Sequence, residues 1–241
     1  MGNIRDYMPR NLPLFISSGA PLPVELEEAF QRLTHADLLE LYGMTETGYA
    51  THISPRRRDR TGSVGLPLPN TDIQIVDLQS GEPLPFGHVG ELWVRGPQVM
   101  RGYWQDEAAT RQVIDEDGWL HTGDLAEMDD DGFFRILGRH DNVQLQDGKL
   151  VFPRDIEETL YELPGVRETA VLVQNTQLIA YVCRMPNENL SSEEILAFCQ
   201  KRLPATHQLD QVLFLDVLPR SHTGKLLVNQ LSPNGLSSFQ K

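Results

Sequence analysis

The residues best suited to chemistry lie in the stretch 38–48, where a short apolar run meets a polar one at Gly43. Two hydroxyls, one carboxylate and one aromatic ring stand close together there: Tyr42, Thr45, Glu46 and Thr47. Hydroxyls bind phosphate, Mg²⁺ shares carboxylate oxygen with phosphates, and an aromatic ring stacks on a flat base. The pattern predicts a buried strand that ends in a ligand-binding loop. An ordinary strand followed by a turn is the alternative interpretation.

Two later stretches also carry polar residues beside glycines. Residues 118–124 predict a second polar loop, which ends at Asp124. The tail 218–226 predicts a flexible loop with one lysine, Lys225, and a lone lysine in such a tail is ordinarily solvated. This segment is not a phosphate-binding Walker loop, because proline occupies the position of its first glycine and leucine follows the lysine.

The composition excludes several classes of function. The chain has 241 residues and a formal charge of −13, which disfavours binding to nucleic acids or anionic membranes. A polyphosphate ligand would therefore need a few placed cations, helix ends and a metal. Cys183 and Cys199 lack ligand spacing and indicate buried thiols of a cytoplasmic protein, and the seven histidines show no metal-site spacing. We find no signal peptide and no apolar run long enough to span a bilayer.

The elements that must position these residues form an α/β pattern. Strands at 12–16 and 38–41 flank a helix from Pro23 to Phe30, which predicts a parallel strand–helix–strand unit. Arginines 56, 57, 58 and 60 then predict a solvated loop. From about residue 63 the chain becomes β-rich, with strands at 72–77, 91–95 and 133–137, a short helix at 110–114 and a hairpin turn at 129–132.

The last hundred residues predict a small separate α/β domain. We expect a hairpin at 143–151, a helix at 154–163 and strands at 169–173, 178–182 and 211–217. Ser191 and Glu194 form a capping box for a helix that runs to Leu203.

Short segments spread over nearly the whole chain carry a family resemblance, and they are SGAPL (18–22), YGMTE (42–46), GLPLP (65–69), GELWVRG (90–96), GYW (102–104), TGD (122–124), GR (138–139), FP (152–153), IE (156–157) and GK (224–225). In this order they resemble the adenylate-forming, or AMP-binding, superfamily of acyl- and aryl-CoA synthetases, peptide-synthetase adenylation domains and beetle luciferases. Met44, the GWLHTGD form and Leu218-Pro219-Arg220 are most similar to acyl-CoA synthetases.

The resemblance implies a role for each matching residue. Gly19 and Ala20 would back the adenine, Tyr42 would stack on it, and Gly43 would belong to the same nucleotide site. Asp124 would hold the ribose, and Arg139 the ribose and phosphate. Thr45 would bind the α-phosphate and Glu46 the Mg²⁺. Lys225 would be the catalytic lysine, which bridges the acid and the phosphate while pyrophosphate leaves. The alternatives are a strand-end turn for Gly19, a core aromatic for Tyr42, a surface acid for Glu46 and a turn-forming residue for Asp124.

The resemblance also implies a domain arrangement. Residues 1–138 would be the C-terminal part of the large domain, with a strand–helix–strand unit to about 62 and a β-rich subdomain at 63–138. A hinge at 139–141 would pivot at Asp141, and 142–241 would be a small mobile lid. Gly148 would let the pantetheine of CoA pass. Gln144, Leu145 and Val228 stand where the family often has an apolar residue, a lysine and an arginine, and Asp155 replaces a usual Glu.

The implied function is ATP- and Mg²⁺-dependent activation of a carboxylic acid, followed by thioester formation with coenzyme A. Family members are much longer and carry a Ser/Thr/Gly-rich phosphate loop that this sequence lacks, so we expect the C-terminal half of an enzyme that is inactive alone. An N-terminal half chain or a carrier protein would then be a partner. The alternatives are a module that loads a carrier-protein thiol, a luciferase-like oxidase, and a non-catalytic nucleotide-binding remnant.

Overall fold

The computed structural model describes residues 14–53, 60–146, 149–222, 224–232 and 235–236. The chain divides into two units, Met1–His140 and Asp141–Lys241, and the division falls inside the predicted hinge. Each unit mixes helices and strands, so the predicted mixed α/β class is confirmed. Among the described residues, no helix is both long and apolar enough to cross a membrane.

The first unit begins with the predicted strand–helix–strand. Its elements are β1 (Leu14–Ser17), α1 (Val24–Thr34), β2 (Asp37–Glu40), β3 (Gly43–Met44), β4 (Gly48–Tyr49), β5 (Thr51–His52), β6 (Leu66–Pro67), β7 (Asp72–Val76), β8 (Gly90–Arg95), α2 (Glu107–Val113), β9 (Leu120–Met128) and β10 (Phe134–Arg139). β1 and β2 pair in parallel, as predicted. Phe15 on β1 packs edge-to-face on Phe30 of α1, with ring centroids 5.1 Å apart, and this contact fixes the helix on the sheet.

The β-rich part of the first unit is a four-stranded antiparallel sheet with the order β10-β9-β8-β7. One face is apolar and packs a core that includes Ile75, Leu92, Val94 and Phe134. A bulge between Ile136 and Gly138 shifts the register of β10, after which Arg139 lies directly opposite Asp124 of β9. The bulge therefore decides which residues of the two strands face one another.

The prediction of a polar loop over 118–124 is wrong, because β9 already begins at Leu120. Leu120 and Thr122 are buried, and the Thr122 hydroxyl donates to the backbone oxygen of Leu92, 2.6 Å away. The polar side chain of Thr122 can therefore be buried in the strand, because its hydroxyl has a hydrogen-bond partner there. The turn itself is limited to the residues before Leu120.

The prediction that the arginines at 56–60 are solvated is wrong for Arg60, and the other three lie outside the described residues. Arg60 donates to Asp129 over 2.8 Å and pairs with Asp131. Its guanidinium also lies 4.4 Å from the centre of the Phe133 ring. Arg60 therefore ties the start of the β-rich part to the predicted β9–β10 turn, which is confirmed.

The second unit contains β11 (Gln144–Gln146), β12 (Lys149–Val151), α3 (Pro153–Tyr161), β13 (Val166–Gln174), β14 (Gln177–Arg184), α4 (Ser192–Arg202), β15 (Gln211–Phe214), β16 (Leu231–Ser232) and β17 (Gly235–Leu236), with 3₁₀ turns at His140–Asn142, Ala205–His207 and Val228–Gln230. β13, β14 and β15 form one sheet in that order. Val171 and Val182 face the core of α3 and α4, whereas Leu172 and Tyr181 belong to a second buried cluster. Burial of both faces explains the nearly unbroken apolar strands.

Other predictions for this unit are confirmed. β11 and β12 pair as the expected hairpin, whose turn at 147–148 lies outside the described residues. The Ser191 hydroxyl accepts from the backbone nitrogen of Glu194, and the Glu194 carboxylate accepts from that of Ser191, so the capping box begins α4.

Candidate functional site

Asp124 is the centre of the candidate site in the first unit. Its side chain is 15% exposed, and hydrogen bonds from Tyr42 and Arg139 fix its orientation. Tyr42 donates its hydroxyl to Oδ2 over 2.5 Å, and Arg139 donates Nη1 to Oδ1 over 3.2 Å. Three residues that the sequence singled out separately are therefore in direct contact. A carboxylate held in this way is a fixed acceptor, and each of its oxygens retains further capacity to accept.

Arg139 is held from the backbone as well as from Asp124. Its Nη1 also donates to the backbone oxygen of Thr122, 2.7 Å away. The guanidinium lies so close to Gly123 that a Cβ there would come within 2.8 Å of Nη2, and Gly123 has a φ of +70°. Glycine is therefore required at position 123 both for the backbone conformation and for the approach of the arginine.

Tyr42 is fixed by a residue that the sequence did not single out. The backbone nitrogen of Tyr42 donates to the hydroxyl of Thr51 over 3.0 Å, and that hydroxyl donates to the backbone oxygen of Val64 over 2.6 Å. Thr51 is fully buried. Burial, with the adjoining Asp124 carboxylate, raises the pKa of Tyr42 well above its usual range. The phenol therefore stays neutral and remains a hydrogen-bond donor.

Thr45 and Glu46 lie in the turn of the small hairpin β3–β4. Thr45 is exposed and Glu46 is half-buried. The backbone oxygen of Glu46 accepts from the nitrogen of Met100 over 2.7 Å, and its Oε1 accepts from the Tyr103 hydroxyl over 3.0 Å. Desolvation and this carboxylate raise the pKa of Tyr103. The sequence missed Tyr103 as a partner of Glu46, although it lies in the GYW segment.

Gly19 and Ala20 follow β1 and are exposed. Gly19 has a φ of +88°, and a Cβ there would meet no atom within 4 Å. The space beside this backbone is therefore open to a flat ligand. The loop is attached to β2 because the nitrogen of Leu22 donates to Oε1 of the buried Glu40 over 3.0 Å.

Lys225 lies in the second unit, in a hydrogen-bonded turn. The nitrogen of Lys225 donates to the Ser221 hydroxyl over 3.1 Å, and its oxygen accepts from the nitrogen of Ser221 over 2.8 Å. Arg220 donates to the oxygen of Gly224 over 2.7 Å. These bonds close a tight turn that exposes the lysine. Whether this turn is flexible stays a prediction.

The remaining predicted residues are Gly148 and Asp141. Gly148 lies outside the described residues. Asp141 is the first residue of the second unit, and it is exposed in the 3₁₀ turn His140–Asn142. Within the described ranges, no three His, Cys, Asp or Glu side chains come together as a metal site.

Comparison with known proteins identifies the class to which this fold and site belong. Residues 4–104 match the model of the AMP-binding enzyme family, and residues 155–225 match that of the AMP-binding enzyme C-terminal domain. The chain belongs to the AMP-binding, adenylate-forming family, as the sequence predicted.

Among individual proteins, the chain is 39% identical over 225 residues to a long-chain-fatty-acid–CoA ligase of Escherichia coli O157:H7, an alignment that covers 90% of this chain and 40% of that protein. It superposes on ATP-bound MatB from Rhodopseudomonas palustris with a TM-score of 0.85 and 32% identity, covering 90% of this chain and 44% of the other. It also superposes on the O-succinylbenzoate CoA synthetase MenE of Bacillus subtilis, in complex with AMP. The TM-score is 0.81 and the identity 30%, and the match covers 96% of this chain and 48% of MenE. The chain thus spans less than half the length of these relatives.

Proposed function

We propose that this chain supplies the ribose-holding residues and the catalytic lysine of an ATP-dependent carboxylic acid–CoA ligase. The observation that carries the proposal is the contact of Asp124 with Tyr42 and Arg139, which fixes a carboxylate as a hydrogen-bond acceptor within a site that also contains a cation. The family membership and the CoA ligases among its relatives support the same activity.

In this proposal Asp124 accepts hydrogen bonds from the two ribose hydroxyls. An ionised carboxylate has about four acceptor positions and no donor, so it suits a pair of hydroxyls that both donate. Arg139 pairs with ribose and phosphate through the rest of its guanidinium. Gly19, Ala20 and Gly43 border the adenine, on which Tyr42 stacks. The hydroxyl of Tyr42 stays on Asp124, so the ring is fixed before the base arrives.

The residues around Glu46 fit a magnesium ion that arrives with the nucleotide. Mg²⁺ keeps several waters and needs only one or two carboxylates beside substrate phosphates. Glu46 offers one half-buried carboxylate, next to the exposed hydroxyl of Thr45. When bound, the ion neutralises charge on the phosphate oxygens. Thr45 donates to the α-phosphate, and Tyr103 orients Glu46.

The first reaction joins an acid to the nucleotide. An oxygen of the carboxylate attacks the α-phosphorus, the bond from that phosphorus to the bridging oxygen breaks, and pyrophosphate leaves. Two anions must approach, and negative charge builds on the phosphoryl oxygens. The ammonium group of Lys225 stabilises that charge and brings the anions together. The product is an acyl-adenylate.

In the second reaction the thiol of CoA loses its proton and attacks the acyl carbon, and AMP leaves. We propose that the two units reorient at Asp141 between the reactions, and that Gly148 lets the pantetheine pass. The acid is a fatty or aryl acid, in line with the ligases that this chain resembles. A carrier-protein thiol is the alternative acceptor, because Gln144, Leu145 and Val228 depart from the family pattern. We place the reaction in the cytoplasm.

Binding of AMP to the chain tests the proposal directly. We expect Asp124→Asn to weaken AMP binding about 10- to 100-fold in calorimetry, because hydrogen bonds to a charged group contribute about 1.5–3 kcal/mol. Asp72→Asn is the matched control, since Asp72 also pairs with an arginine on the same sheet, over 2.9 Å, but lies outside the site. Equal affinities of the Asp124→Asn variant and the unmodified chain would disprove the role of this site.

A further inference from the structure

A cleft of about 540 Å³ lies in the second unit, and it includes none of the residues discussed above as nucleotide or acid ligands. Its lining consists of Arg167, Arg184, Met185, Pro186, Phe214, Leu215 and Asp216. β13 runs antiparallel to β14, and β14 runs parallel to β15. The first residues of β13 and the last residues of β14 and β15 therefore lie at the same end of the sheet. Ligands of α/β proteins commonly bind outside the carboxyl ends of such strands.

The two arginines of this cleft are unusual within the chain. Most of the described arginines form an ion pair with a carboxylate: Arg32, Arg60, Arg95, Arg111, Arg135, Arg139, Arg154, Arg202 and Arg220. Within the described ranges, Arg167 and Arg184 form none, although the chain carries a formal charge of −13. In so acidic a protein, two such cations at one cleft provide local positive charge for an anion.

The contacts of these arginines hold them in place without an ion pair, and Arg167 also contacts the thiol of the buried Cys183. Arg167 donates Nη2 to the backbone oxygen of Asp216. The guanidinium carbon of Arg184 lies 3.7 Å from the centre of the Phe214 ring. Both contacts fix a guanidinium without placing a carboxylate on it, and stacking on an aromatic ring orients the planar fork.

The rest of the lining adds two features to this charge. Met185 is 45% exposed and lies beside the exposed Pro186, so the cleft offers apolar surface to a flat ring. Asp216 is exposed and forms no ion pair within the described part of the chain, so its carboxylate can accept from a hydroxyl or an amino group. A ligand that matches all three features has an anionic end, a planar part and a hydroxyl donor.

We propose that this cleft binds a nucleoside phosphate, at a site separate from the one around Asp124. Two guanidinium groups outweigh the single Asp216 carboxylate in the cleft, and guanidinium groups form paired hydrogen bonds with the oxygens of a phosphate. The sugar hydroxyls donate to Asp216, and the base lies against Met185 and Pro186. The volume is within the range of small-molecule sites. None of its lining residues is among the proposed ligands of the ligase site, so the two proposals can be tested separately.

The test measures binding of ADP by calorimetry to the full chain that carries Asp124→Asn, which weakens the first site. We expect this protein still to bind one ADP, and the added double substitution Arg167→Gln and Arg184→Gln to weaken binding at least tenfold. Arg101→Gln is the matched control, because Arg101 is exposed and also forms no ion pair with any described residue. It should leave the affinity unchanged within twofold.

Three further ligands separate the possible chemistries: inorganic phosphate, adenosine and benzoate. We expect each to bind at least tenfold more weakly than ADP. Benzoate binding as tight as ADP would show a carboxylate site, and phosphate binding as tight as ADP would show a simple anion site; either result would overturn the proposal. Loss of ADP binding with Asp124→Asn alone would overturn it too, and so would equal loss with Arg101→Gln. Circular dichroism of each variant verifies the fold. Arg184→Lys, which keeps the charge, should lose less affinity than Arg184→Gln.

Discussion

The site around Asp124 and the turn that carries Lys225 differ in how their key side chains are held. In the first unit, Asp124 accepts hydrogen bonds from Tyr42 and Arg139. The backbone of Tyr42 is held by the Thr51 hydroxyl, and the guanidinium of Arg139 by the backbone oxygen of Thr122. In the second unit, hydrogen bonds with Ser221 hold the backbone of Lys225, and the ammonium group of Lys225 forms no ion pair with any described residue.

The difference assigns separate tasks to the two units. A binding site gains affinity when its side chains are ordered before the ligand arrives, because less conformational entropy is lost on binding. A lysine that stabilises charge only during the reaction gains nothing from a protein partner in the ground state, since such a pair would have to be broken first. We therefore expect substitutions at Asp124 to act on binding and those at Lys225 to act on rate.

The largest effect should come from Lys225→Ala. In any enzyme reconstituted from this chain and the N-terminal half chain that the sequence predicts, we expect acyl-adenylate formation to slow about 10²- to 10³-fold or more, as loss of a charge aimed at the transition state does. Pyrophosphate exchange measures this step. Thioester formation from supplied acyl-adenylate should change far less, and AMP binding by the chain should change less than twofold.

Lys201→Ala is a suitable control for that experiment, because Lys201 is an exposed lysine in the last turn of α4. It should leave pyrophosphate exchange intact. If Lys225→Ala weakened AMP binding as strongly as it slowed the reaction, the division of tasks between the two units would be wrong.

A smaller effect, confined to the first unit, should follow Gly123→Ala. The new Cβ would lie 2.8 Å from Nη2 of Arg139, so the guanidinium must move and its bonds to Thr122 and Asp124 must lengthen. We expect AMP binding to weaken about tenfold, in proportion to the lost charge-assisted hydrogen bonds.

Gly118→Ala provides the matched control, because Gly118 has a φ of +79° and a Cβ there would meet only Arg95, at 3.9 Å. Both variants place an alanine in the left-handed backbone conformation, which destabilises each of them, but only Gly123→Ala displaces Arg139. Calorimetry with AMP compares them. Equal affinities of the two variants would mean that Arg139 does not contribute to binding.

The last expected effect is on stability, and it belongs to the second unit alone. Burial raises the pKa of Glu157 to about 7, although its carboxylate accepts from the nitrogen of Val171 over 2.7 Å. The folded unit therefore holds a proton that the unfolded chain releases near pH 4.5. The free energy of unfolding must fall as pH rises from there through about 7, and we expect a loss of about 3 kcal/mol at Glu157.

Glu157→Gln removes this titration and keeps an oxygen to accept from Val171. Relative to the unmodified chain, the variant should therefore gain stability between pH 5 and pH 8. Hydrogen exchange of the β13 amides measures this gain within the second unit. Glu188→Gln, at an exposed acid, should show no such pH-dependent difference. A constant difference at all pH values for Glu157→Gln would contradict the titration.

The sequence predicted the candidate ligands individually and missed how some of them meet. Asp124 and Arg139 could be assigned from their segments, but their contact depends on β9 beginning at Leu120. Glycine and polar residues over 118–124 hid that strand, because burial of Thr122 depends on a hydrogen bond to Leu92 of another strand. Local propensity carries no information on such a partner.

The same limit applies to Thr51 and Tyr103. Each acts through one hydrogen bond to a residue many positions away in the chain, Thr51 to Val64 and Tyr103 to Glu46. Periodic elements such as α4 and the paired strands β13 and β14 were predictable, since their apolar spacing and caps are local. Polar contacts between segments are specified only when the whole unit folds.

The bulge between Ile136 and Gly138 makes the length of the β9–β10 hairpin a functional quantity. Side chains alternate between the two faces of a strand, so one residue added or removed within β10 between Phe134 and Gly138 would turn Arg139 to the opposite face. Insertions and deletions in this part of the strand would have to occur in pairs, or be offset by loss of the bulge. The amino-acid sequence of this hairpin can therefore vary far more freely than its length.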